Sequence, residues 1–437
     1  MITAKAFSGK HYAVLGLARS GLATVEALLA SGARVTAWDG DPQRTENLRS
    51  SRATNGLELA DLDQADLTQF DSLVLSPGVP LNRSPLAARA REAGVEIIGD
   101  IELFARARPE LPPHKVVGIT GTNGKSTTTA LVHHILQTAG VPSLMGGNIG
   151  LPILAQDQLP EGGVYVLELS SYQLDLTKSL HCEVAALTNI TPDHLDRYEN
   201  FAEYEHSKAR LFAMQTEDGI AIWDTDNPGV LPFTDIFDDE RLPFRSWLNR
   251  RHPKLEALVP YQSPALAGSH NLANSSIAFQ VSEALRIREA SILKALGSFS
   301  GLPHRLERVR EKDGVTFVND SKATNPTATA PALAAFPAVR WILGGQAKSD
   351  NLDECAPHFG HVRKAYTIGE ASTLFASLLK PHMAVAECGT LEVAVKAAAS
   401  DSQPGETVLL SPACASFDQF RDFEARGDAF RAAVEAL

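Results

Sequence analysis

Residues 118–129 read GITGTNGKSTTT, set between an apolar, β-branched run (116–120) and a helical pattern that continues through ALVHHIL (130–136). A glycine-rich turn joining a strand to a helix suits a phosphate. Glycines let the backbone wrap the anion, and unpaired amides at the helix start point toward it. Gly121, Thr122, Asn123, Gly124, Lys125, Ser126 and Thr127 are the candidate nucleotide contacts. Lys125 would neutralise the β and γ phosphates of ATP, and Ser126 would offer its hydroxyl to Mg²⁺. The spacing departs from GxxxxGK(S/T), because position 119 is Ile and Gly118 comes one residue early. Turn glycines ahead of a capped helix would account for Gly121 and Gly124, but not for the Gly-Lys-Ser ending in this context.

Outward from this turn, short apolar runs alternate with longer helical patterns, the signature of parallel sheets covered by helices. The class is α/β. Residues 11–16, 34–39 and 72–75 read as strands, and 21–30 as a helix ending near Gly32. Proline-rich RPELPPHK (108–115) marks a linker; beyond it 164–169, 184–188 and 219–223 read as strands and 271–287 as a helix. The stretch 233–264, rich in proline and charge, fits neither period. Gly301, Leu302 and Pro303 mark a second boundary, followed by strand patterns at 315–319, 339–343, 364–368, 383–387 and 407–410. A chain of 437 residues exceeds what one core usually supports. Three domains are expected: a Rossmann-like N-terminal domain (1–108), a central P-loop-type ATPase domain (109–302) and a Rossmann-like C-terminal domain (303–437).

The formal charge of −12 repels polyanions and argues against a nucleic-acid partner. Cys182, Cys355, Cys388 and Cys414 are scattered and form no CxxC pair, as expected of reduced thiols rather than a disulfide frame or zinc site. The N-terminus, MITAKAFSGKHYAVLGLARSG, lacks the layout of a signal peptide, and no run of about 18 apolar residues follows. The expectation is a cytoplasmic monomer without membrane insertion.

GTNGKST (121–127) resembles the ATP loop of the Mur ligases and of their relative folylpolyglutamate synthase. The resemblance continues through GGNIGLP (146–152), LELSSYQL (167–174), TNITPDHLDRY (188–198), HN (270–271), GLPHR (301–305), NDSKATN (319–325), LGG (343–345) and SPACASFDQF (411–420). It implies an ATP- and Mg²⁺-dependent ligase that adds D-glutamate to UDP-N-acetylmuramoyl-L-alanine through an acyl phosphate. Glu168 and His194 match the family's Mg²⁺ contacts, and the position of Lys208 carries a carbamate there. From the residues alone, Glu168 closes the apolar run VYVLE, where a carboxylate is costly unless it meets a cation or donors; a helix cap is the alternative. His194 alone would be a hydrogen-bonding structural residue. Lys208 alone would be an ordinary lysine on a solvated helix face.

The resemblance further implies that Asn148 helps His194 place the acceptor or its metal, and that Asn271, Arg305 and Asp320 touch adenine, phosphate and ribose. Lys322, Thr324, Lys348, Ser416 and Phe423 are implied to surround the glutamate. In isolation Asn271, Arg305 and Asp320 would be caps, surface charges or turn formers, and Lys348 a surface lysine. The first segment carries Gly16-x-Ala18-x-x-Gly21 followed by Asp39, which by itself suggests NAD. The resemblance assigns that turn to a uridine diphosphate, with Leu17, Ser20 and Asp39 near the uracil and Ser76 and Gly78 near the diphosphate. A nicotinamide-dependent oxidoreductase and a non-catalytic ATP-binding switch are the readings from other classes. Within the ligases, a folylpolyglutamate synthase or an enzyme adding a different amino acid is the alternative.

Overall fold

Five short runs rich in Val, Ala and Leu form the first sheet: β1 (His11–Leu15), β2 (Arg34–Trp38), β3 (Leu57–Leu59), β4 (Ser72–Leu75) and β5 (Glu96–Ile98). They pair in parallel in the order β3-β2-β1-β4-β5. β4 is buried at every position and β1 at all but its last, the unalternating pattern of strands covered on both faces. The strand order reverses between β1 and β4, and a crevice opens at the carboxyl ends of such strands. The turn after β1 needs glycine for space: a Cβ on Gly21 would lie 1.7 Å from the Gly16 carbonyl oxygen.

The computed structural model describes residues 1–51, 56–193, 197–224, 245–249, 263–266, 269–347 and 350–437, arranged as two compact units, Met1–Phe299 and Ser300–Leu437. The first unit holds a second, wholly parallel sheet built from β6 (His114–Thr120), β7 (Ser143–Gly147), β8 (Gly163–Glu168), β9 (Val184–Leu187), β10 (Ile220–Asp224) and β11 (Arg245–Asn249). Its order is β11-β10-β9-β6-β8-β7, so the glycine-rich turn leaves a central strand. One apolar core runs through both sheets of this unit. The helix Asp100–Ala107 joins them: its buried Glu102 accepts hydrogen bonds from the Lys178 and Ser179 amides and from Arg106. The proline-rich stretch is tethered too, since Arg108 pairs with Glu183 at 3.0 Å and Glu110 accepts from the Lys5 and Ala6 amides.

The second unit has β12 (Glu307–Lys312), β13 (Val315–Asn319), β14 (Val339–Gly344), β15 (Val362–Ile368), β16 (Val385–Gly389) and β17 (Thr407–Leu410) in the order β12-β13-β17-β14-β15-β16. Only the β12–β13 pair is antiparallel. The α/β class with parallel sheets is as the sequence leads one to expect. β3, β5, β7, β11 and β12 are not expected from the sequence: the first two are three residues long, β7 ends in Gly-Gly, β11 falls in the stretch 233–264 that fits neither period, and β12 is a charged edge strand. The helix expected over 271–287 spans Ser269–Ala284. Most of 233–264 lies outside the described residues. No helix among the described residues is long and apolar enough to cross a membrane.

Candidate active site

The loop after β6 is braced by its neighbours as well as by its own lysine. Thr122 N donates to the Asn189 carbonyl at 2.9 Å, Asn123 N donates to Asn189 Oδ1 at 2.9 Å, and Thr188 Oγ1 donates to the Asn123 carbonyl at 2.5 Å. Thr188 and Asn189 follow β9, so two adjacent strand ends brace one turn. Gly124 is the N-cap of the helix Lys125–Thr138 in the left-handed conformation, and a Cβ there would lie 2.2 Å from Asn274 Oδ1. At Gly121 φ is +143° and a Cβ would lie 2.0 Å from Thr188 Oγ1. Gly121→Ala is therefore expected to shift the loop and lower stability by about 1–3 kcal/mol. An unchanged midpoint in urea denaturation would contradict this packing.

Lys125 Nζ folds back over the loop and donates to the Gly121 and Thr122 carbonyls at 3.0 and 2.8 Å. Ser126 and Thr127 follow it in the first turn of the helix, where amides face outward. Asn271 lies on the helix Ser269–Ala284 and accepts from Asn274 Nδ2 at 3.3 Å, which connects it to the packing around Gly124. The brace from Thr188 and Asn189 and the wedge of Asn274 carry no sequence signal of their own, although Thr188 and Asn189 open TNITPDHLDRY.

Lys208 corrects the expectation of a solvated lysine. On the helix Phe201–Ala213 it shares a buried face with Tyr204, Leu211 and Phe212 and is 1% exposed. Its Nζ donates to the Gly121 carbonyl at 2.8 Å and lies 4.5 Å from the Tyr204 ring centre. Burial, and then the Lys125 charge, hold its amine well below the ordinary lysine range. Glu168 ends β8 and is 2% exposed; its Oε1 accepts from Asn148 Nδ2 at 2.8 Å. Among the described residues no donor reaches its Oε2. A buried, half-satisfied carboxylate is the kind of oxygen a hard cation takes. His194 lies outside the described residues, and no group of three or more His, Cys, Asp or Glu side chains among the described ones is arranged to hold a metal.

A cavity of about 580 Å³ opens at the carboxyl ends of β1 and β4 and runs to the end of β7. Ser20, Asp39, Ser76, Gly78 and Asn148 line it, together with Arg19, Arg44 and Gln173, to which the sequence reading assigned nothing. Arg19 donates to the Gly150 carbonyl at 3.1 Å, fastening one wall to the other. The Leu17 side chain does not line the cavity; it is buried, and only its amide takes part, donating to Asp39 Oδ2 at 2.6 Å. Burial pushes the Asp39 carboxyl up, but the Leu17 and Asp41 amides and Arg44 outweigh it and hold the group below the usual value. Arg44 offered no sequence signal to separate it from a surface arginine.

In the second unit the expected residues gather at the carboxyl ends of β13 and β17. Asp320 Oδ2 accepts from Ser411 Oγ at 2.8 Å and its Oδ1 from the Leu306 amide at 3.2 Å. Lys322 Nζ lies 4.0 Å from the Phe423 ring centre, Thr324 is half-buried and Ser416 is buried. Arg305 precedes Leu306, and its charge acts on Asp320. Lys348 lies outside the described residues.

Burial pushes the Asp320 carboxyl up to about 7 against the pull of Ser411, the Leu306 amide and Arg305. The unfolded chain ionises this group near pH 4, so stability falls as pH rises from about 4 to 7. Asp320→Asn is expected to melt higher than the parent at pH 8, by on the order of 2 °C or more, with the gap closing by pH 4. A difference independent of pH would count against that environment.

Three family descriptions match consecutive parts of the chain: Mur ligase MurD-like N-terminal domain (10–99), Mur ligase middle domain (119–240) and Mur ligase glutamate ligase domain (304–414). The UDP-N-acetylmuramoylalanine–D-glutamate ligase of Novosphingobium aromaticivorans is 59% identical, with 100% of this chain and 97% of that protein covered. The ligase of the same name from Zymomonas mobilis is 53% identical, with both chains covered in full. Among solved structures, UDP-N-acetylmuramate-alanine ligase MurC of Thermotoga maritima superposes with a TM-score of 0.59 at 17% identity, over 98% of this chain and 99% of that one. MurF ligase of the same organism in complex with ADP gives 0.58 at 16% identity, over 98% and 96%. At these identities the structures establish the shared fold.

Proposed function

The chain belongs to the Mur ligase family, and from that premise we propose how its residues perform the reaction. It is an ATP-dependent ligase that joins D-glutamate to UDP-N-acetylmuramoyl-L-alanine in peptidoglycan precursor synthesis. A carboxylate resists attack by an amine because its charge repels the nucleophile and oxide is a poor leaving group. Transfer of the γ-phosphoryl group of ATP to the acceptor carboxylate removes both obstacles. The glutamate amine then attacks the carbonyl carbon, the carbon–oxygen bond to phosphate breaks, and inorganic phosphate leaves.

Asn148 carries the assignment. It lines the cavity between the first two sheets and is held at 2.8 Å by Glu168, which ends the strand paired with the one that carries the glycine-rich loop, and this supports an acceptor site next to the nucleotide. Backbone amides between Gly121 and Thr127 bind the triphosphate, and Lys125 turns from the Gly121 and Thr122 carbonyls to the transferring group, whose charge it offsets. Ser20, Asp39, Ser76 and Gly78 hold the uridine diphosphate, joined by Arg19, Arg44 and Gln173. Asn271, Arg305 and Asp320 bind the adenosine portion and phosphate; Lys322, Thr324, Lys348, Ser416 and Phe423 hold the glutamate. The bare Oε2 of Glu168 fits Mg²⁺, which Ser126, Glu168, His194 and carbamylated Lys208 would hold and which would neutralise phosphate charge. The enzyme works in the cytoplasm as a monomer of three domains, 1–108, 109–302 and 303–437.

Phosphate release tests this directly. With ATP, Mg²⁺, UDP-N-acetylmuramoyl-L-alanine and D-glutamate present, release should be sustained; omission of any one, or L-glutamate in place of the D isomer, should stop it. Equal release with the amino acid omitted would point to a nucleotide-hydrolysing switch.

A further inference from the structure

Arg426 lies on the helix Phe423–Glu435 and is 1% exposed, an unusual place for a cation. Its guanidinium is spread over three loops. Nε donates to Ser321 Oγ at 3.0 Å and Nη2 to the Ser321 carbonyl at 2.9 Å, both just past β13. Nη1 donates to the Gly344 carbonyl at 3.4 Å, at the end of β14. Nη1 and Nη2 also donate to the Ala415 and Cys414 carbonyls at 3.2 and 3.0 Å, in the loop after β17. Every acceptor is neutral; the Asp418 carboxylate acts on Arg426 through space, and among the described residues no carboxylate lies within ion-pairing distance of it. Such a charge is costly to bury unless its donors are satisfied, as these are.

The three loops are those that carry the proposed amino-acid contacts. Ser321 precedes Lys322 and donates its Oγ to the Phe423 carbonyl at 2.8 Å, and Ala415 precedes Ser416. A Cβ on Gly345 would meet Arg426 Nη1 at 3.1 Å and the Ala415 carbonyl at 2.3 Å, which explains the Leu-Gly-Gly motif at 343–345 as clearance for this side chain and loop.

We propose that Arg426 is a positioning residue for the glutamate site: it clamps the loops after β13, β14 and β17 into one rim. The inference rests on the reading that these loops hold the amino acid. A dicarboxylate arriving at that rim finds Lys322 and Ser416 on loops whose placement depends on the fork of one arginine. Burial pushes the Arg426 pKa down to about 10, which still leaves it charged at neutral pH.

The test is steady-state phosphate release by the full chain carrying Arg426→Lys, with melting curves to confirm folding. Lysine keeps the charge and loses the fork. The expected result is a KM for D-glutamate raised roughly tenfold or more, with KM for ATP and for UDP-N-acetylmuramoyl-L-alanine within about twofold. A folded variant in which the glutamate KM is unmoved, or in which all three KM values rise together, overturns the proposal. Should Arg426→Lys not fold, Ser321→Ala removes one acceptor and should raise the glutamate KM alone by roughly threefold or more; no rise overturns it equally. Lys322→Ala separates the two layers. If it too leaves the glutamate KM unchanged, the amino-acid reading of these loops fails and takes the proposal with it; if it raises KM while Arg426→Lys and Ser321→Ala do not, only the role of Arg426 falls.

Discussion

Lys125→Ala is expected to abolish turnover, lowering kcat by roughly a thousandfold or more, while leaving the fold intact. The size follows from removing a preorganised cation where charge develops in phosphoryl transfer, an effect worth about 3–4 kcal/mol or more. The fold should survive because, although Lys125 donates to two loop carbonyls, the loop is also held from outside. Asn189 and Thr188 hold its backbone from the neighbouring strand, and Asn274 packs against Gly124 from the helix behind. Circular dichroism and melting temperature should match the parent while phosphate release disappears. Activity within tenfold of the parent would remove Lys125 from the phosphoryl-transfer site.

Lys208→Ala should cost nearly as much, by a different route. Two lysines donate to one carbonyl, that of Gly121, and one of them is fully buried. Burial and the neighbouring Lys125 charge favour the neutral amine of Lys208. A neutral amine is the form that adds to CO₂: the nitrogen lone pair forms an N–C bond while one C=O π pair moves onto oxygen, a proton is released, and the neutral amine becomes an anionic carbamate. That anion would lie within electrostatic reach of Glu168, whose Oε2 is unsatisfied, and a hard cation needs oxygen ligands of this kind. The alanine variant should lose roughly a hundredfold or more in kcat, and acetate or formate should restore part of it by supplying the missing carboxylate. If the variant keeps its activity, or no short carboxylic acid rescues it, the carbamate assignment is wrong.

The phosphate loop was legible because its signal is local: the glycines, the lysine and the serine lie within a few residues and sit between a strand pattern and a helix pattern. The brace was not, since Thr188 and Asn189 reach the loop from about 65 residues away and no spacing rule connects them. Lys208 shows the same limit in a helix. FAEYEHSKARLFA has a polar reading on most faces, and only the fold reveals that the face shared by Tyr204 and Lys208 turns inward. Arg426 is harder still, because its five acceptors come from three strand ends scattered between Ser321 and Ala415.

Strand recognition divided along similar lines. β1, β4, β6 and β17 are continuous apolar runs and stand out, whereas Glu307–Lys312 alternates charge along a sheet edge, and its pairing with β13 comes from the hairpin at Asp313 and Gly314 rather than from hydrophobicity. In the N-terminal sheet the glycine fingerprint pointed toward a dinucleotide, yet the cavity beside it continues to Asn148 at the end of β7. That continuation requires two sheets from different stretches of sequence, which a single βα turn cannot announce.

The acyl phosphate is the step on which the account turns, and oxygen labelling reads it directly. UDP-N-acetylmuramoyl-L-alanine labelled with ¹⁸O at both carboxylate oxygens should, in the presence of ATP and D-glutamate, transfer one label to each inorganic phosphate released and retain the other in the new amide. Amide product accompanied by unlabelled phosphate would mean that the carboxylate was never phosphorylated.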